Sequence, residues 1–205
     1  MSAIVLGQGD ALLIVDLQVD FLPGGSLGVP HGDAVIAPIN RLIALYRERG
    51  LPIYASRDWH PSSHCSFAAQ GGPWPPHCVA GTDGADFSPA LQLPGDAIII
   101  SKADSAEVDA YSAFNGTGLA PALRARGIRR LAVCGLATDY CVLNTVLDGL
   151  KEEIEMLIVA EAARAVDVAP GDGDRAMTRM LVAGAVPVRL SGAGLVADLA
   201  LGARP

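Results

Sequence analysis

Six short apolar runs, separated by segments of helical period, constrain this chain more than any other feature. Residues 11–15, 51–56, 97–101, 130–134, 156–160 and 185–190 are each too brief for a helix and rich in branched side chains, as strands buried on both faces are. Between them lie helical patterns. The segment 34–49 sets Ile39, Leu42, Ile43 and Tyr46 on one face and has Gly50 placed to cap it. Pro121 and Gly127 bracket a short helix, Val142, Leu143, Val146, Leu147 and Leu150 form an inner face after residue 138, and a last helix runs around 175–183. Strand and helix alternating in this way predict an α/β fold: a parallel sheet with right-handed crossovers and helices on both faces. The 205 residues fit one domain, 1–205, long enough to bury about 70% of the unfolded chain's surface. The stretch 59–89 reads as loop throughout, and a loop of that length in a compact domain usually has a function.

Charge excludes several partners. The formal net charge is −7, with acidic and basic residues scattered rather than gathered into runs, which argues against nucleic acid and against an anionic membrane. The first residues have neither a basic leader nor a long apolar stretch, so the expected location is cytoplasmic. Cys65, Cys78, Cys134 and Cys141 form no CxxC pair in a chain large enough to do without cross-links, so all four are read as reduced thiols.

In open parallel sheets ligands bind outside the carboxyl ends of the strands, and there this chain carries Asp16, Asp58, Lys102 and the turn to Cys141. Cys141 falls in a helix's first turn, with Thr138 or Asp139 as N-cap. That position should ease loss of the thiol proton, although a free cysteine can equally be a small buried hydrophobe. A carboxylate can take a thiol proton and return it to a departing amine, which makes Asp16 the candidate base; a lysine between them, Lys102, would favour both charged forms. Taken singly, Asp16 also reads as a cap, and Lys102 as a strand end paired to Asp104 or Glu107. Asp58 and His60 project to one side of an extended segment, and with His77 they would make a metal site of one carboxylate and two imidazoles. His64 reads first as a solvated loop histidine, otherwise as a fourth ligand or hydrogen-bond partner of the others. His31 reads as exposed, and Cys65, Cys78 and Cys134 as packing residues, Cys78 the one nearest the metal. Phe21, Trp74 and Tyr111 lie in loops near these groups, where a flat heteroaromatic ligand would stack, although each taken singly reads equally well as a loop anchor.

Five segments in order closely resemble the nicotinamidase (pyrazinamidase) family of isochorismatase-like cysteine hydrolases: residues 16–21, 56–61, 74–78, Lys102 and 135–142. The resemblance implies a three-layer fold with a six-stranded, mainly parallel sheet, and hydrolysis of nicotinamide, or an analogue such as pyrazinamide, to the acid and ammonia. It implies Cys141 as nucleophile, Asp16 as proton shuttle and Lys102 as catalytic lysine. Asp58, His60 and His77 would hold one divalent ion, zinc ahead of iron or manganese. It further implies a cis peptide before Ala137, an oxyanion hole from the N–H groups of Ala137 and Cys141, and a ring pocket formed by Phe21, Trp74, Tyr111 and Ala137. Val19 departs from the family's usual Asn. The expected partner is a small molecule, with room for a homo-oligomer. The alternative is a related cysteine amidohydrolase acting on a carbamoyl or ureido compound; such relatives generally lack the Asp58, His60, His77 pattern. A non-catalytic nucleotide-binding module ranks below both, because no strand is followed by GxGxxG or a P-loop.

Overall fold

A computed structural model describes residues 2–192, 194–198 and 200. The six apolar runs all become strands: β2 (Asp10–Val15), β3 (Ile53–Asp58), β4 (Ile98–Lys102), β5 (Arg130–Leu136), β6 (Glu155–Arg164) and β7 (Val186–Ser191). The sheet has eight strands, not six. β1 (Ala3–Ile4) and β8 (Gly194–Ala197) add to one edge in the order β1-β8-β7-β6-β5-β2-β3-β4. The six predicted strands are mutually parallel, and the two extra ones pair antiparallel. Strands of two and four residues are too short to show a period, which is why the sequence hides them.

Period two along each strand sorts the core into two halves. Leu12, Ile14, Ala55, Ala132, Cys134, Leu157 and Val159 face α1 (Ile36–Glu48), which buries Ile39, Leu42, Ile43 and Tyr46 as its spacing predicts. Leu13, Tyr54, Leu131, Val133, Met156 and Ile158 face the other way, against α2 (Leu119–Ala125), α3 (Leu143–Lys151) and α4 (Asp172–Val182). Gly50 has φ 64 and closes α1, its N–H bonding to Arg47 O. None of the described helices is long and apolar enough to cross a membrane.

The strand order places the site. From β2 the chain runs outward through β3 to β4, then returns to the other side of β2 for β5 and continues to β6 and β7. The direction of winding thus reverses between β2 and β5, and the crevice at their carboxyl ends is where such sheets bind ligands. Gly135, near the end of β5, has φ 117, and a Cβ there would lie 2.0 Å from Val15 O. Gly135→Ala is therefore expected to cost about 3 kcal/mol or more through backbone strain and overpacking against β2. Urea denaturation checks this, and a variant as stable as the native protein would contradict it.

Candidate active site

Asp16 follows β2 at φ 46, an uncommon conformation for a residue with a side chain, and is fully buried. One of its oxygens accepts the Ser56 hydroxyl at 2.7 Å, and the other meets Lys102 Nζ at 2.9 Å. Lys102, the last residue of β4 and 1% exposed, also donates to Asp58, to Ala110 O at 3.2 Å and to Cys141 Sγ at 3.5 Å. Its ammonium thus joins two carboxylates and the thiol. Asp104 and Glu107, the alternative partners for Lys102, do not reach it; Glu107 accepts from Ser105 instead.

Burial acts on these groups in opposite directions. It raises the pKa of Asp16 against the pull of Lys102, and it pushes the Cys141 thiol well above its ordinary range, again opposed by Lys102. For Lys102 burial alone would lower the pKa, but Asp16, Asp58 and the thiol outweigh it and hold the ammonium well above its usual value. The expectation of an easily ionised thiol is therefore corrected. Cys141 is 6% exposed, and the burial that a helix-start argument omits raises its thiol while Lys102 opposes the rise.

Local backbone explains a second correction. Residues Thr138–Val142 form a π-helical turn preceding α3, with Val142 N–H bonded to Ala137 O at 3.1 Å, and neither Thr138 nor Asp139 caps it. The Asp139 carboxylate instead accepts the N–H groups of Val166 and Asp167, both at 2.9 Å, tying the loop after β6 to this turn. The peptide bond between Leu136 and Ala137 is cis, as the resemblance implies.

Asp58, His60 and His77 converge, their ligand atoms lying within 4.8 Å of one another. His60 Nδ1 donates to His77 O at 3.0 Å and His77 Nδ1 donates to Pro75 O at 2.8 Å, so each ring has its Nε2 lone pair free. Burial lowers the His60 pKa to about 4, which keeps that imidazole neutral. Two neutral imidazoles oriented by carbonyls, beside a carboxylate, are the donor set a divalent ion takes. His64 is fully buried, not solvated. Its Nε2 donates to Val108 O at 3.1 Å, its Nδ1 accepts from Ser66 Oγ at 2.8 Å, and its ring packs on His60 with centroids 4.3 Å apart. With both nitrogens engaged it supports His60 and has no lone pair left for a ligand bond. His31 is exposed, and none of the four cysteines forms a disulfide.

One pocket receives Phe21, Trp74, Tyr111, Ala137, Asp58, His77 and Cys141 together. Trp74 Nε1 donates to Tyr111 Oη at 2.9 Å. Sequence reasoning missed Tyr140, whose ring packs edge-on against Trp74, and the apolar walls Leu27, Val29 and Val166. It also missed Ser56, which a strand period of two from Asp58 could have found, and Gln18, which exchanges hydrogen bonds of 2.8 Å with the backbone N–H and C=O of Asp58.

Residues 10–191 match the isochorismatase domain. The nicotinamidase of Escherichia coli (strain K12) is 42% identical to this chain, the match spanning 85% of the chain and 92% of that protein. The pyrazinamidase of Pyrococcus horikoshii, whose crystal structure is a complex with zinc, superposes with a TM-score of 0.86 at 46% identity, covering 89% of this chain and 99% of that one. A protein from L. infantum solved in complex with nicotinate superposes at 0.85 with 36% identity, covering 92% and 96% respectively.

Proposed function

This chain belongs to the nicotinamidase/pyrazinamidase family of isochorismatase-domain proteins, and from that premise we propose a residue-by-residue account of how it hydrolyses nicotinamide. It is an amidohydrolase acting on a carboxamide C–N bond. The observation that carries the account is that Cys141, Asp58 and His77 open on one pocket walled by aromatic rings, with Lys102 joining Cys141, Asp58 and Asp16 behind it and His60 beside Asp58 and His77.

In this reading the domain is a single unit, and the ring lies among Phe21, Trp74, Tyr111 and Ala137 with its carboxamide toward Cys141. Asp16 takes the Cys141 proton, and the sulfur adds to the amide carbon. Backbone N–H groups of Ala137 and Cys141 would stabilise the developing oxyanion, a contribution worth roughly a hundred- to a thousandfold in rate. Asp16 returns the proton to the departing ammonia, and water then cleaves the thioester with Asp16 as base. Lys102 holds carboxylate and sulfur in register throughout. Burial makes Asp16 a stronger base and so favours its taking the proton, while it holds the thiol back and leaves Lys102 to offset that cost beside the sulfur.

Asp58, His60 and His77 would hold one divalent ion, which supplies a Lewis-acid anchor for the ring nitrogen. Zinc is the first choice for two imidazoles and a carboxylate, and it is the ion named with the Pyrococcus pyrazinamidase; iron or manganese suits the same donors. The role is positioning, so stripping the ion with a chelator is expected to raise KM for nicotinamide at least tenfold while the circular dichroism spectrum stays native. Unchanged kinetics in a verified metal-free sample would remove the ion from the account. Ammonia release assayed on nicotinamide, pyrazinamide and a ureido acid tests the substrate class; preference for the ureido acid would favour the alternative amidohydrolase.

A further inference from the structure

Asp20 takes no part in the chemistry above, yet its carboxylate is buried, 9% exposed, and forms no ion pair among the described residues. A buried charge left without hydrogen bonds is costly, and this one is satisfied by backbone alone. One oxygen accepts the Cys78 N–H at 2.7 Å and the other accepts the Ser26 N–H at 3.2 Å. A Cβ on Gly84 would lie 2.2 Å from Asp20 Oδ2, so the 83–85 turn can close over the carboxylate only as glycine.

Each bond leads to a different part of the site. Cys78 is held at φ 46, in the region that favours glycine. From that conformation its carbonyl accepts the His60 N–H at 3.0 Å, while the carbonyl of His77 accepts His60 Nδ1 at 3.0 Å. The 75–78 turn is wired to both imidazoles, and Asp20 is its tether to the loop after β2. On the other side, Ser26 opens the segment carrying Leu27 and Val29, both of which line the ring pocket. Leu27 N–H bonds to Asp20 O at 3.0 Å and Val29 N–H to Phe21 O at 2.9 Å.

We propose that Asp20 is a positioning residue whose carboxylate aims the His77 turn at the metal and fixes the ring-pocket wall, coupling the two halves of the site. The inference rests on the metal reading of Asp58, His60 and His77. Asn in its place keeps the volume but sets an amide N–H2 against one of the two backbone N–H groups, so one bond becomes a donor facing a donor. Partners that orient metal-binding imidazoles commonly govern ten- to a hundredfold in affinity.

The test is a zinc titration of metal-free protein against a chromophoric chelator. Asp20→Asn is expected to bind zinc at least tenfold more weakly than the native chain and to regain most of its nicotinamide turnover in excess zinc, which a merely unfolded variant cannot do. Gly84→Ala keeps the carboxylate but pushes it aside, and it is expected to weaken zinc in the same direction should Asp20→Asn fold poorly. Folded variants that bind zinc less than tenfold more weakly than native would overturn the inference alone, as would a turnover loss at saturating nicotinamide that excess zinc does not restore. A native chain that binds no zinc would sink the metal site and this inference together.

Discussion

Cys141→Ala is expected to abolish ammonia release from nicotinamide, with a loss on the order of ten-thousandfold or more, the scale on which hydrolases lose turnover when their nucleophile is removed. No neighbouring group can substitute. Cys65 is neither buried with the reacting groups nor part of the pocket lining, and Cys78 and Cys134 are sealed in the core, their thiols raised by burial. The fold should survive. The sulfur removed is small and the site can relax, so the cost in stability is about 1 kcal/mol. Asp16, Asp58 and Lys102 keep their mutual contacts without it. Zinc affinity is likewise expected to hold, because Asp58, His60 and His77 do not depend on the thiol. A variant that retains turnover within tenfold of native, while bound to zinc and folded, would take cysteine out of the mechanism.

The carboxyl ends of the strands were readable because each apolar run stops at a charged residue or a turn, and a parallel sheet brings those stops together. Asp16, Asp58 and Lys102 could be picked from sequence on that ground alone, and the inner face of α1 from its period. What escaped depends on contacts distant in sequence. His64 looks like a loop histidine until the carbonyl of Val108, 44 positions away, accepts a hydrogen bond from its Nε2–H. Ser56 and Gln18 are ordinary polar residues until the pairing of β2 with β3 sets them against Asp16 and Asp58, each 40 positions distant. The π-helical turn defeated the capping argument for a different reason. Asp139 had a stronger use in accepting the N–H groups of the loop after β6, 27 and 28 positions away. The easily ionised thiol failed in the same way, since a helix-start argument counts local dipoles and omits burial.

Lys102→Met tests the electrostatic centre of the site more severely than any ligand change. Met has nearly the length of the lysine stem but no charge, so the variant leaves Asp16 and Asp58 buried with their shared cation gone. Breaking a buried pair by removing one partner typically costs about 3–5 kcal/mol, because the surviving charge is uncompensated. Here two survive. The protein has one escape: Asp16, already raised by burial, loses the lowering influence of Lys102 and climbs further. A carboxyl whose folded pKa lies above its unfolded value stabilises the fold fully below the unfolded value, and that contribution is lost as pH rises through the folded value. The stability gap between native and variant should therefore be widest near neutrality and narrow as the pH falls and Asp16 takes up a proton. Excess zinc should recover part of the gap by giving Asp58 a cation, but not the turnover, since the ammonium that joins Asp16 to the Cys141 sulfur stays absent. Urea denaturation at pH 7 and pH 5, with and without zinc, measures these effects. A gap below about 1 kcal/mol at pH 7, or one that widens in acid, would show that the Lys102 ammonium does not compensate the two buried carboxylates.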